Sequence, residues 1–121
     1  MPLFRAMASV PELLRKNKLM KLSKEIRDKL KSELKACLSP EKEVHRIILF
    51  GSFLTSKNPN DIDVAVFQDS DEPYLSLAMK YRKLTRTIAQ KIPLDIIPIR
   101  SNAPHTSFLS EIEAGELIYE R

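Results

Sequence analysis

The residues best able to do chemistry in this sequence are two acids one residue apart, Asp61 and Asp63, in the segment DIDVAVF. Side chains of a strand alternate between its faces, so Asp61 and Asp63 project together while Ile62, Val64 and Val66 project to the opposite side. Two adjacent carboxylates repel each other unless something positive lies between them. A hard divalent cation such as Mg²⁺ meets that need, because it takes oxygen ligands and binds through one or two carboxylates plus substrate phosphates. The plainer alternative is a pair of acids at a solvated strand mouth. Two further features favour the cation. Gly51-Ser52 directly follows the apolar run VHRIILF, at a place where glycine lets the backbone turn tightly and N–H groups of a following helical turn can hold phosphate oxygens. Asp95 lies inside the apolar run PLDIIPI, where an unpaired charge is expensive; beside the Asp61–Asp63 strand it would complete a cluster.

The elements that must carry these residues follow from periodicity. Leu13, Leu14, Leu19, Leu22, Ile26, Leu30, Leu34 and Leu38 recur at three- to four-residue steps, which predicts amphipathic helix from Pro11 to Leu38, with a break near Asn17 to Ser23 and a stop at Pro40. Val44 to Phe50 is too short for a helix and rich in β-branched residues, so it is a predicted buried strand. A loop of turn formers, Lys57 to Asn60, leads to a second strand, Ile62 to Phe67. Tyr74, Leu77, Ala78, Tyr81, Leu84, Thr85 and Ile88 describe one helix between Pro73 and Lys91. Leu94 to Ile99 is a third strand, which Pro98 puts near a sheet edge or a bulge. A short helix over Ser107 to Ala114, a Gly115 C-cap and a last strand, Leu117 to Tyr119, close the chain. The predicted fold class is α/β, a small mixed sheet covered by helices, in one domain over 1–121: basic N-terminal helices over 1–40 and a catalytic core over 44–121.

Composition sets the outer bounds. A chain of 121 residues fills one core, and 43% hydrophobic with 30% charged residues excludes a disordered tail. No apolar run approaches the roughly 20 residues of a bilayer span, and Arg5 interrupts the first apolar stretch, so neither a membrane protein nor a secretory signal is expected. The single cysteine, Cys37, sits among leucines at helical spacing as a small apolar side chain; with no internal disulfide available, a cytoplasmic setting is the simplest. Residues 1–38 hold ten Lys/Arg and four Asp/Glu, net +6, against net −2 in the remainder. That basic segment permits a nucleic-acid or acidic-protein partner without requiring one. Neither His45 nor His105 has metal-ligand spacing to Cys37.

Taken together, LFGSFLTSKNPNDIDVAVF and the later PLDIIPI resemble the active-site signature of the polymerase-beta-type nucleotidyltransferase superfamily: strand, Gly-Ser turn, short helix, Asp-x-Asp strand, then a third Asp on a neighbouring strand. Length and the ending EIEAGELIYE are similar to its minimal members, in which the catalytic domain stands alone, and the resemblance covers about residues 44 to 120. It implies that Gly51 and Ser52 contact a nucleoside triphosphate, ATP or another NTP. It further implies that Asp61, Asp63 and Asp95 are catalytic and hold two Mg²⁺ ions, while Asp95 takes or relays the proton of an attacking hydroxyl. Ser56 and Asn60 stand where relatives often carry a glycine and a serine, so the loop around phosphate departs from the family pattern.

The same resemblance implies a partner, a separately encoded helical HEPN-like protein, often a toxin ribonuclease, for which the nucleotidyltransferase serves as antitoxin. The leading expectation is therefore Mg²⁺-dependent transfer of AMP to a hydroxyl of that partner. Two alternatives stand beside it. One is an antitoxin that neutralises by contact alone; the other is a nucleotidyltransferase acting on an RNA 3′ hydroxyl, with the basic helices as docking face. An RNA partner ranks lower because no base-stacking platform or nucleic-acid motif is evident in the sequence.

Overall fold

In the computed structural model the described residues are 23–121. The helix predicted upstream, over Pro11 to Leu22, lies outside them. Four strands form one mixed sheet: β1 (Val44–Phe50), β2 (Ile62–Gln68), β3 (Leu94–Arg100) and β4 (Glu116–Glu120), in the order β3-β2-β1-β4. β1 pairs antiparallel with both β2 and β4, and β2 pairs parallel with β3. The parallel pair requires a crossover, supplied by helices α3 (Tyr74–Leu84) and α4 (Arg86–Ala89). Helix α1 (Lys24–Leu38) precedes β1, the four-residue α2 (Ser52–Thr55) follows it, and α5 (Ser107–Glu113) leads into β4.

Both faces of the sheet are covered, which is why β1 buries four residues in succession, Ile47 to Phe50. One face carries Ile47, Leu49, Ile62, Val64, Val66 and Ile96, packed against Leu30, Leu34 and Leu38 of α1, Leu77 and Tyr81 of α3, and Ile88 of α4. The other carries Ile48, Phe50, Ala65 and Phe67 beneath Ile112 and Leu109 of α5. A register shift between Val44 and Arg46 lets Val44 join the first face although Arg46, Ile48 and Phe50 belong to the second. Nothing in the string VHRIILF announces that extra residue.

Charged side chains tie the helices to this frame. Tyr81 Oη donates to Glu43 Oε2 at 2.8 Å, and Lys80 Nζ spans Glu41 at 2.9 Å and Glu43 at 3.0 Å, fixing α3 to the turn before β1. Burial, first, and the Glu43 carboxylate, second, push the Tyr81 hydroxyl far up, so it remains a donor. Lys91 to Glu33, 3.2 Å, joins the end of the crossover to α1. Ser23 caps α1 by accepting from the Ile26 N–H, and the helix stops at Leu38, two residues before Pro40, as expected.

Two expectations need correction. The single helix over Pro73 to Lys91 is two, because the buried Thr85 turns its hydroxyl back to the Tyr81 carbonyl at 2.8 Å and leaves the helical backbone at φ −107°, ψ 16°. Gly115 is not the C-cap of α5; Ala114 is, and Gly115 has no left-handed φ. Its glycine is required by proximity: a Cβ there would stand 2.2 Å from the Leu49 carbonyl oxygen and 3.0 Å from that of Ile112. Strand ends otherwise differ from expectation by a residue, within the fraying of any boundary.

Gly115→Ala must therefore push β4 off β1, since a backbone carbonyl cannot rotate away as a side chain would. We expect a loss of about 2 kcal/mol, read as a fall in Tm of roughly 10 °C; a Tm within a degree of wild type would show that the strand pair tolerates the shift.

Candidate active site

The register of the sheet brings the acids together. Phe50, the last residue of β1, lies opposite Asp63, and Asp63 lies opposite Asp95 on β3. Residues directly opposite in a sheet project to the same face. A row Phe50, Asp63, Asp95 therefore crosses one end of the sheet, on the face that α5 covers. Asp61 stands just before β2, two residues from Asp63 and so of the same alternation. The Ile62 N–H donates to the Pro93 carbonyl at 3.0 Å, which locks the approach to β2 against the approach to β3 and holds the Asp61 and Asp95 segments in step.

Gly51 reverses the chain out of β1 with φ +78°, ψ −152°, a conformation that L side chains rarely adopt. The Asp63 carboxylate lies over its bare Cα: a Cβ on Gly51 would meet Asp63 Oδ2 at 2.3 Å. The glycine therefore does two things, opening the turn and letting the central acid approach the backbone. After it, Ser52 begins α2, which is tied to its flanking residues by bonds from the Leu54 N–H to the Gly51 carbonyl (3.1 Å) and from the Ser56 N–H to the Ser52 carbonyl (2.7 Å). The first N–H groups of such a helical turn have no partner within it.

Burial pushes the Asp63 carboxyl above its ordinary value, and the negative charges of Asp61 and then Asp95 push it further. Asp61 and Asp95 thus both act on Asp63, which is half-buried in the centre of the corner, with Asp95 exposed at the rim. No set of three or more His, Cys, Asp or Glu side chains among the described residues stands in the arrangement of a preformed metal cage. The donor chemistry nevertheless fits a hard cation. All three groups are oxygen donors, and their mutual repulsion is what a divalent charge relieves.

One contributor is absent from the expectations drawn from the sequence. Arg27, on α1, donates from Nη1 to the Phe53 carbonyl and from Nη2 to the Ser56 carbonyl at 2.8 Å and the Lys57 carbonyl at 3.4 Å; its guanidinium lies 5.0 Å from the centroid of the Phe53 ring. Arg27 thereby satisfies the carbonyls at the exit of α2 and clamps the Gly51-Ser52 turn from behind. Its position three residues before Leu30, on the apolar stripe of α1 rather than its basic face, is the sequence signal that sets it apart. Elsewhere the histidines are engaged as structural groups, His45 with Asp69 and His105 with Ser110, each at 2.8 Å. Burial raises the Cys37 thiol above its ordinary range, which suits a packing role.

Comparison with known proteins agrees with this geometry. The family model described as Polymerase beta, Nucleotidyltransferase matches residues 32–121. Among solved structures, a chain of the crystal structure of the toxin-antitoxin MntA-HepT superposes with a TM-score of 0.54 at 15% identity, covering 78% of this chain and 73% of that one. At that identity the likeness is one of fold. The curated protein sequences give no match.

Two outcomes follow from the site itself. An acid that holds its proton more readily folded than unfolded favours folding as pH falls through its folded value, with the gain complete below the ordinary value of 3.8. Asp63→Asn removes the repulsion at neutral pH, so the variant should melt above wild type in chelator-treated buffer, by a margin that shrinks as pH falls toward 3.8; a margin independent of pH would assign the gain to something else. Arg27→Ala should accelerate amide hydrogen exchange at Leu54 and Ser56 about tenfold or more, leaving β2 amides unchanged. Unaltered exchange at those two amides would show that the turn holds its shape without the clamp.

Proposed function

Because the chain belongs to the polymerase-beta nucleotidyltransferase family, we propose that it transfers AMP from ATP to a hydroxyl of a separately encoded helical HEPN-like partner, as the antitoxin of a toxin-antitoxin pair. The observation that carries this reading is the contact at Gly51, where a left-handed turn at the start of a short helix meets the central carboxylate of an acidic row. A phosphate turn and a set of cation ligands are useful together when the substrate is a triphosphate whose charge must be neutralised in place. The partner is supported by the fold likeness to a chain of a toxin-antitoxin structure.

In this reading Gly51 and Ser52 hold the triphosphate through backbone N–H groups and the Ser52 hydroxyl. Asp61, Asp63 and Asp95 would hold two Mg²⁺ ions, which when bound supply neutralisation of the triphosphate and of the charge that develops on the attacking and leaving oxygens. The chain's own residues orient and move protons. Burial and the neighbouring charges of Asp61 and Asp95 raise the Asp63 carboxyl above its ordinary value, so a bound cation would relieve a repulsion already present there. Asp95, exposed at the rim, is open to an incoming hydroxyl and accepts its proton at a carboxylate oxygen. Arg27 keeps the turn in place so that little reorganisation is needed when the triphosphate arrives.

A protein acceptor is favoured over RNA by the state of α1. Of its basic residues, Lys24 is paired with Asp28, Lys31 with Glu116, and Arg27 is spent on the α2 carbonyls. Among the described residues this leaves Lys29 and Lys35 as the cations of α1 outside such contacts.

The test is transfer of label from ATP, with Mg²⁺, to the protein encoded beside this chain's gene. Wild type is expected to label that partner, and Asp63→Ala to do so at least about a hundredfold more slowly. Absence of label, or equal labelling by Asp63→Ala, would overturn the proposal; partner neutralisation surviving Asp61→Ala and Asp63→Ala would favour the contact-only antitoxin.

A further inference from the structure

The crossover that joins β2 to β3 turns both apolar and basic side chains to water. Among the described residues the three most exposed large apolar side chains are Leu75 (66%), Met79 (60%) and Tyr74 (58%), and all three belong to the first half of α3. Scattered singly, such residues need no explanation; gathered on one helix they do. Leu75, Met79, Arg82 and Lys83 stand at i, i+4, i+7 and i+8, so they share one side of α3, away from the buried Leu77, Ala78 and Tyr81. Arg86, also exposed, follows at the start of α4.

The charges of this stripe are unspent. The other two cations of the crossover, Lys80 and Lys91, are tied to Glu41 and Glu43 and to Glu33, whereas Arg82, Lys83 and Arg86 make no ion pair with any described residue. Cations in the last turn of a helix gain from its dipole, which accounts locally for Arg82 and Lys83. The dipole does nothing for Arg86, which lies beyond that helix and adds a third like charge, nor for two apolar side chains left in water. Charge sign names what would cover them. Carboxylates brought against the stripe relieve the repulsion among its cations, and Leu75 and Met79 ask for an apolar surface beside those carboxylates. The stripe itself carries no ring on which a base could stack, which favours a protein over a nucleic acid.

Its place in the fold fits an acceptor. α3 packs on β3, an edge strand of the sheet, and Asp95 is exposed near the start of that strand, at the opposite end of the acidic row from the Gly51-Ser52 turn. In-line displacement puts the acceptor and the leaving pyrophosphate on opposite sides of the phosphorus. With the phosphates held at the turn, the acceptor arrives from the β3 edge, beside the crossover.

We propose that the outer side of α3 and the start of α4 form the docking face for the acceptor protein, which sets carboxylates against Arg82, Lys83 and Arg86 and an apolar ridge against Leu75 and Met79. This rests on the reading of transfer to a separately encoded partner and adds where that partner is held.

The test uses the full chain and the purified protein encoded beside its gene. Reversing the three charges together (Arg82→Glu, Lys83→Glu, Arg86→Glu) should weaken partner binding about tenfold or more in calorimetric titration and leave Mg-ATP affinity as in wild type. Raised salt should weaken binding by wild type and not by this variant. Leu75→Ser with Met79→Ser should cause a similar loss that keeps the wild-type salt dependence. In the transfer assay both variants should raise KM for the partner and leave kcat unchanged, since neither touches the acids. Wild-type partner affinity in both variants would overturn the docking face, as would charge reversal that abolishes binding of an RNA oligonucleotide but spares the partner. Binding that depends on the stripe without transfer of label would uphold the docking face and overturn the transfer reading; transfer at wild-type KM by both variants would do the reverse. A wild-type chain that neither binds nor labels its neighbour overturns both.

Discussion

The Asp63 carboxylate rests on the Cα of Gly51, and most of what surrounds this contact serves to make it possible. It requires β1 and β2 to pair with Phe50 opposite Asp63, so that the end of one strand and the start of the other meet at one corner. It requires a residue without a Cβ, since a methyl group there would sit 2.3 Å from a carboxylate oxygen. It also brings a carboxyl raised above its ordinary value by burial, and then by Asp61 and Asp95, against the backbone of the turn. Slipping the register by one residue would turn Asp63 into the face occupied by Val64 and Val66 and put a valine over the turn. Hydrophobic burial on both sides of the sheet forbids that slip, and so the apolar core fixes the geometry of the polar site.

What could be seen in the sequence was whatever depends on near neighbours along the chain. The alternation in DIDVAVF, the apolar run before Gly51 and the lone acid in PLDIIPI each carry their meaning within about seven residues, and the structure puts all three acids at one corner. The family match over 32–121 agrees with the fold class drawn from these segments. The strands fall within a residue or so of their expected bounds because β-branched runs bounded by turn formers leave little choice.

What could not be seen was decided by contacts across the chain. Thr85 fits the helical stripe between Pro73 and Lys91, and only its burial against the Tyr81 carbonyl shows that it divides the helix. Gly115 looks like a helix terminator because glycine so often is one, yet its neighbour is a carbonyl on another strand. Arg27 stands off the basic face of its helix, but what it holds shows only once the turn 26 residues later is folded against it. Each is a case of tertiary placement giving a second meaning to a residue whose local meaning was already satisfactory.

Arg27 also makes the turn depend on a helix outside the sheet. The sheet joins strands through connections that exist without α1, but the carbonyls leaving α2 find this donor only once α1 has docked, through contacts spanning 26 to 30 residues of chain. The corner that bears the acids consequently loses definition if α1 lifts. Competence of the site is thereby tied to the seating of a helix outside the sheet, so a chain with its strands correctly paired is not yet a chain with its turn set.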